Sequence, residues 1–322
     1  MGHAQPPAPG FYATAPCTRL CPARAAHHPA PMRTGPDLPM ILLRRGPWTI
    51  EVADPRPDPY ALGARYVHGC YIHGILRDER RLTGRAGKFW NAFDGEGAPE
   101  VFELDLGATH AEDGDTYLRI GAGRVLRQGA PRRPRFGPDV PVAWEVLEQG
   151  ESHLVMRTRD AIWRRGVEFA YELTRTLRLR DDGLDSTTTL SLRTFWNHPV
   201  SWFPHAFWAH TAPAATGYVL PAAATTAEPS AELGPDGCWR IRGRPPWGGV
   251  SVITGLWGHQ GAIDCRLDPT LGGGTMRMAL DRPCDHVVLW ASPCASSAEA
   301  QLARLWPRGD TASWTLSYTW LG

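Results

Sequence analysis

Residues 167–194 read VEFAYELTRTLRLRDDGLDSTTTLSLRT. Val167, Phe169, Tyr171, Leu173, Leu177 and Leu179 fall on one face of a period-two pattern, and Arg175 is the exception among them. Glu168, Glu172, Thr174, Thr176, Arg178 and Arg180 fall on the other. Successive side chains of a strand point to opposite faces, so this alternation predicts a long, half-buried antiparallel strand. Asp181-Asp182-Gly183 supplies a turn, and Ser186 to Thr194 returns as a second strand.

Working outward, Trp314, Leu316, Tyr318 and Trp320 alternate with Ser313, Thr315, Ser317 and Thr319, the cleanest strand in the chain. Further candidate strands are Trp48–Ala53, Tyr66–Leu76, Val101–Leu106, Tyr117–Leu126, Ala143–Glu148, His153–Thr158, Gly249–Thr254, Thr275–Leu280 and His286–Ala291. No segment has a convincing amphipathic helical period. Short strands without helical crossovers predict an all-β sandwich with few short helices. High Trp (14), Gly (34) and Pro (30) contents agree with strands joined by many turns. No internal repeat or second composition break divides the chain after residue 40, so residues 40–322 are expected to form one domain.

Residues 1–39 differ: they hold nine prolines, many alanines and no acidic residue before Asp37. Such a segment cannot bury enough surface to offset its ordering entropy and is expected to be disordered. It vaguely resembles an organellar transit peptide, and a start at Met40 explains it equally well. The net charge of +1, from 34 basic and 33 acidic residues, sets up no field for nucleic acid or an anionic membrane. No apolar run approaches the roughly 20 residues of a membrane span. Seven cysteines without a CxxC pair give neither a disulfide framework nor a zinc ribbon. They read as reduced thiols, and the expected location is the cytoplasm.

Chemistry concentrates in residues 197–210, NHPVSWFPHAFWAH, which hold three histidines, two tryptophans and two phenylalanines. Histidine changes protonation near neutral pH, and flat rings suit the apolar faces of a sugar. His205, in His-Ala-Phe-Trp, is the candidate proton carrier; the plain alternative is a core strand with hydrogen-bonded histidines. Without HxH or HExxH spacing, no catalytic metal is expected. Gly121, Gly123 and Gly272–Gly274 read as turns or bulges, since no helix follows to bind a phosphate. Arg127, Arg132, Arg133 and Arg135 read as a solvated loop.

Several phrases in order resemble the galactose mutarotase-like superfamily, the aldose 1-epimerases and their relatives. They are Gly63-Ala-Arg-Tyr66 with His68-Gly-Cys-Tyr-Ile-His-Gly74, Phe93-Asp-Gly-Glu-Gly97, Glu100-Val-Phe102, Tyr117 to Arg124, Leu190 to Trp208, and Pro307-Arg-Gly-Asp-Thr-Ala-Ser-Trp314 running into Tyr318. The resemblance spans roughly residues 45–322. It implies a large antiparallel β-supersandwich with a sugar site on the concave face of one sheet, and no metal or organic cofactor. It further implies a histidine acid on the ring oxygen and a glutamate base on the anomeric hydroxyl.

Carried over by position, His205 matches the histidine of the His-x-aromatic-aromatic motif. Glu299, in Ser296-Ser-Ala-Glu-Ala-Gln-Leu302, is the glutamate in the right order for the base, although its usual flanking turn is missing. A solvated glutamate on a loop or strand edge is the competing account, with Asp264 and Asp310 as fallbacks. Arg65 holds a sugar hydroxyl or a carboxylate, or makes a structural ion pair. His68 and His73, five apart on one strand, should face opposite sides, which favours His73 in the site and His68 as structural. His198 reads as a loop residue. Trp202 and Trp208 are candidate sugar platforms or core, and Phe207 should point where His205 does. Two functions follow: an aldose 1-epimerase-like enzyme acting on a hexose or hexose derivative, or a carbohydrate binder that lacks the base. The expected test is the His205–carboxylate separation, with roughly 5–8 Å, by analogy with paired glycosidase carboxylates, favouring the enzyme. The oligomeric state stays open.

Overall fold

The computed structural model describes residues 38–87, 94–103, 105–127, 138–221, 224–226, 230–241, 249–253, 262–284 and 286–322. The alternating stretch forms the strands Val167–Leu179 and Gly183–Thr194, paired antiparallel with Leu173 opposite Leu190. They lie inside a ten-stranded antiparallel sheet. Its order is Glu145–Gln149, His153–Arg164, Val167–Leu179, Gly183–Thr194, Thr311–Trp320, Thr275–Leu280, Ala262–Arg266, Gly217–Val219, Trp239–Ile241 and Ala231–Leu233. A six-stranded antiparallel sheet runs Gly249–Ile253, His286–Ala291, Ala295–Trp306, His198–Pro204 and Glu100–Phe102, with Trp208–Ala209 added beside Ala295–Trp306. Two four-stranded sheets complete the set. Helical turns among the described residues are three-residue 3₁₀ segments: Ala108–His110, Pro213–Ala215 and Pro269–Leu271. The fold class is all-β, as the period-two pattern predicts.

The core lies between the two large sheets. Phe169, Tyr171, Leu173, Leu177 and Leu179 are all buried on the inner face of the first. From the second, Trp202 and Phe102 meet Trp314 edge-on at ring separations of 5.4 and 6.1 Å. Each fully buried side chain of this size contributes about 1.5–3 kcal/mol. Arg175, the exception in the apolar row, points inward with them and binds Glu100. Its Nη2 donates to Glu100 Oε1 at 2.6 Å, and its Nη1 binds Oε2. Ser186 (2.7 Å), Thr188 (3.2 Å) and Trp202 (2.8 Å) donate to the same carboxylate. A buried charge is tolerated only when paired and hydrogen-bonded, and this network meets that need.

Several strand expectations change. The strand expected over Tyr66–Leu76 covers only Tyr71–Arg77, because the Val67 and His68 amides bond Glu100 and Gly121 carbonyls and Cys70 takes a left-handed φ of 55°. His68 is therefore off the strand that carries His73, and the facing argument for that pair fails. Val101–Leu106 divides into Glu100–Phe102 and Asp105–Leu106, which belong to different sheets. Tyr117–Leu126 is a hairpin of Thr116–Arg119 and Gly123–Leu126, turned at Gly121 with φ 76°. His198 opens a strand rather than sitting in a loop. The stretch 1–37 and Arg132, Arg133 and Arg135 lie outside the described residues.

Candidate functional site

The two faces of the six-stranded sheet differ. Directly opposed residues share a face, so Val288 with Glu299, Trp290 with Ser297, and His286 with Gln301 project together. Ser201 with Ala303 and Phe203 with Val101 join them. The alternate positions Val287, Leu289, Ala298, Ala300, Leu302, Val200 and Trp202 form the inner, buried face. The outer face carries the polar groups, and a smaller apolar cluster packs there around Tyr66, Tyr71, Phe203 and Phe207, with Trp290 against it.

His205 lies in that smaller cluster. The chain leaves the strand His198–Pro204, the His205 amide donates to the Pro99 carbonyl (2.8 Å), and the Phe207 amide donates to the Gly97 carbonyl (2.8 Å). The imidazole stacks on Phe207 at 4.2 Å and meets Trp290 at 5.2 Å and Tyr66 at 6.5 Å edge-on. Its Nε2 lies 3.0 Å from Glu299 Oε1. The N–H direction misses the oxygen, so the contact is a close approach rather than an aligned hydrogen bond, and it becomes an ion pair only when the imidazole is protonated. Glu299 stands mid-strand in Ala295–Trp306, and its Oε2 accepts from Gln301 Nε2 at 3.4 Å.

The surroundings set the protonation. Burial pushes the His205 pKa below the ordinary 6.5; the Glu299 charge pulls it back up, and Arg65 pushes it further down. Burial lifts the Tyr66 hydroxyl well above 10, and that hydroxyl donates to the Asp94 carbonyl at 2.6 Å. Glu103, which keeps an exposed edge, is raised above the usual carboxylate range by partial burial of its carboxylate first and by Glu299 second. Arg65 is half-buried with its guanidinium 5.4 Å from the Tyr66 ring centre. Around Glu299, the residues of this face that reach solvent include Arg65, Glu103, Ser201, His286, Val288, Trp290 and Ala303.

His205, Glu299, Phe207 and Arg65 come together; the other expected site residues do not. His205 is ringed by aromatic side chains and closed to solvent, with 0% exposure against 7% for the Glu299 side chain. The expected 5–8 Å gap is replaced by direct contact. Trp202 faces inward, 1% exposed, with its Nε1–H on Glu100, so it is core and no sugar platform. Trp208 is also fully buried. Asp264 sits on the ten-stranded sheet in a two-pronged pair with Arg277, at 2.7 and 2.9 Å. His73 stands between Glu51 (3.9 Å) and Glu96 (3.7 Å), near Arg81 and Arg85. His68 is buried and bonds the Gly63 carbonyl at 3.1 Å. Asp310 caps the turn before the last strand, accepting from the Thr311 amide at 2.9 Å. Tyr66, Trp290, Glu103 and Gln301 went unforeseen. Gln301 had a usable signal, standing two residues from Glu299 and so on its face.

No protein-family model matches the chain, and no curated protein does. Solved structures do. One titled a putative aldose 1-epimerase from Escherichia coli K12 superposes with a TM-score of 0.57 at 14% identity, over 88% of this chain and 100% of that one. A galactose mutarotase related enzyme from Lactobacillus acidophilus gives 0.57 at 11% identity, over 88% and 97%. A galactose mutarotase-like protein from Lactobacillus casei gives 0.51 at 12% identity, over 88% and 100%.

Proposed function

On a galactose mutarotase-like fold, we propose that this chain is an aldose 1-epimerase-like enzyme that interconverts the anomers of a hexose or hexose derivative at the His205–Glu299 pair. The observation that carries the proposal is the 3.0 Å approach of His205 Nε2 to Glu299 Oε1 on the outer, ring-lined face of the six-stranded sheet. Mutarotation acts on two oxygens, the ring oxygen and the anomeric hydroxyl, that are bonded to the same carbon. An acid and a base serving them therefore stand side by side, unlike glycosidase carboxylates, which flank a bond and leave room for water. The present contact leaves no room for the two oxygens, so Glu299 turns aside to admit them.

Glu299 then takes the anomeric proton while His205 Nε2 gives one to the ring oxygen. The ring C–O bond breaks as the anomeric carbonyl forms. Rotation about the adjacent carbon–carbon bond presents the other carbonyl face, and closure returns both protons. Trp290 offers a ring for the sugar's apolar face; Arg65, Glu103 and Gln301 offer polar contacts to hydroxyls. Two histidine–carboxylate roles and no organic cofactor suffice for every proton moved.

The second function, carbohydrate binding without turnover, requires that Glu299 not act as a base; the zero exposure of His205 weighs against turnover and binding there alike, and both need Glu299 to move aside. Polarimetry of freshly dissolved α-D-galactose and α-D-glucose separates the two. The enzyme accelerates the approach to equilibrium, and Glu299→Gln and His205→Ala each remove the acceleration. Saturation transfer to the sugar without acceleration by the unaltered protein establishes the binder and rejects catalysis.

A further inference from the structure

We propose a second saccharide site, separate from the His205–Glu299 pair, that takes a sugar bearing a uronate carboxylate. Its place is a cavity of 420 Å³ where the hairpin turn after Trp163, the segment Arg193–Phe195 and the turn Arg308–Gly309 converge. Ligand pockets run from about 300 to 1,000 Å³, so a sugar ring fits.

Three features point to this ligand. Trp163 is 64% exposed and Phe195 57%, unusual for rings of this size. Both line the cavity, and Trp163 presents a flat face of the kind a pyranose stacks on. Arg193 and Arg308 line it too, and neither has a carboxylate partner among the described residues. The Arg308 guanidinium lies over one face of the Phe195 ring, 5.1 Å from its centre, so the cation fork is held against an aromatic wall and Trp163 is left as the ring for stacking. That pairing suits a ring whose substituent is a carboxylate, which binds arginine in two-pronged fashion. Glu168, on the same wall opposite Trp163 in register, is placed to accept from sugar hydroxyls.

The walls are held rather than loose. The Arg308 amide donates to Asn197 Oδ1 at 3.2 Å, the Leu192 amide to the Asp310 carbonyl at 3.1 Å, and Thr194 Oγ1 to the Trp196 carbonyl at 2.7 Å. A pre-arranged wall lowers the ordering cost of binding.

Titration calorimetry and saturation-transfer NMR of the full chain with methyl β-D-glucuronide and methyl β-D-glucoside test the site. The glucuronide is expected to bind at least tenfold tighter, with an advantage that shrinks as salt rises. In Arg193→Gln/Arg308→Gln that advantage should vanish, and in Trp163→Ala glucuronide binding should fall at least tenfold. Glu299→Gln should leave glucuronide binding unchanged, which keeps this site distinct from the epimerase one whatever the outcome there. The altered residues sit at the surface, and unchanged thermal melts verify the fold. Equal affinity for the two glycosides, an advantage that survives the double arginine change, or loss of glucuronide binding in Glu299→Gln would overturn the proposal. So would self-association through this face that excludes both sugars.

Discussion

Replacing Arg175 by methionine removes the guanidinium from a carboxylate that has no access to water. Both side chains of the Arg175–Glu100 pair are 2% exposed. Breaking a buried pair from one side costs about 3–5 kcal/mol, because the remaining charge is stranded. Here Ser186, Thr188 and Trp202 still donate to Glu100, so the loss should sit at the lower end, about 3 kcal/mol. Arg175→Met/Glu100→Gln removes the charge and keeps one acceptor oxygen, which can serve Thr188 and Trp202 while the amide nitrogen donates to the Ser186 hydroxyl. It should recover about 2 kcal/mol of the single loss, a coupling in the range seen for contacting groups. Urea unfolding, with the slope checked for constancy, measures both variants. The site should respond too, since the Pro99 carbonyl that takes the His205 amide adjoins Glu100. A single-variant loss below about 1 kcal/mol, or a double variant less stable than Arg175→Met, would refute the account of how this core tolerates its charges.

Burial holds His68 down at about 4, against an ordinary 6.5. The folded state thus disfavours its proton, and stability present above pH 6.5 is lost as pH falls towards 4, by roughly 3 kcal/mol. His68→Gln should flatten that acid limb in urea midpoints recorded against pH; an unchanged limb would clear His68 of the effect. Gly97 has φ 83°, and a Cβ there would strike the Ile72 and His73 carbonyls while its own carbonyl holds the Phe207 amide. Gly97→Ala should cost at least about 1–3 kcal/mol and displace the ring stacked on His205, read as a lower melting temperature together with weaker sugar binding. With His205 as the acid, kcat/KM for anomer exchange should decline as pH rises, its midpoint below 6.5 because burial lowers that pKa. A rate that climbs with pH through this interval would exchange the roles of acid and base.

The long hairpin and the closing strand were legible because one face of each is apolar and the other polar. Trp48–Ala53, Thr275–Leu280 and His286–Ala291 were legible with their ends. Ala295–Trp306 was not, although it carries Glu299: Ser297 to Leu302 alternates polar and apolar, but Ser296 falls on the inner row and Ala295 and Ala303 on the outer, and alanine is a poor strand former that gives the alternation little contrast. Arg175 broke its apolar row visibly, yet its partner Glu100 lies 75 positions away, and sequence does not reveal a pairing across two sheets. Within the site, ring density around His205 was readable, and its closure was not. That closure comes from Tyr66, Tyr71 and Phe207 packing on the outer face of the six-stranded sheet, a tertiary event. Trp202 and Asp264 misled for a related reason. A tryptophan or an aspartate looks the same whether it faces a ligand, a buried glutamate or a surface arginine.

A crystal structure of the protein with a bound aldose tests the central claim most directly. The account predicts the sugar on the outer face of the six-stranded sheet, its ring oxygen within hydrogen-bonding distance of His205 Nε2 and its anomeric oxygen at Glu299, with the present contact between the two side chains opened. An aldose seated elsewhere, with His205 and Glu299 still touching, would contradict it.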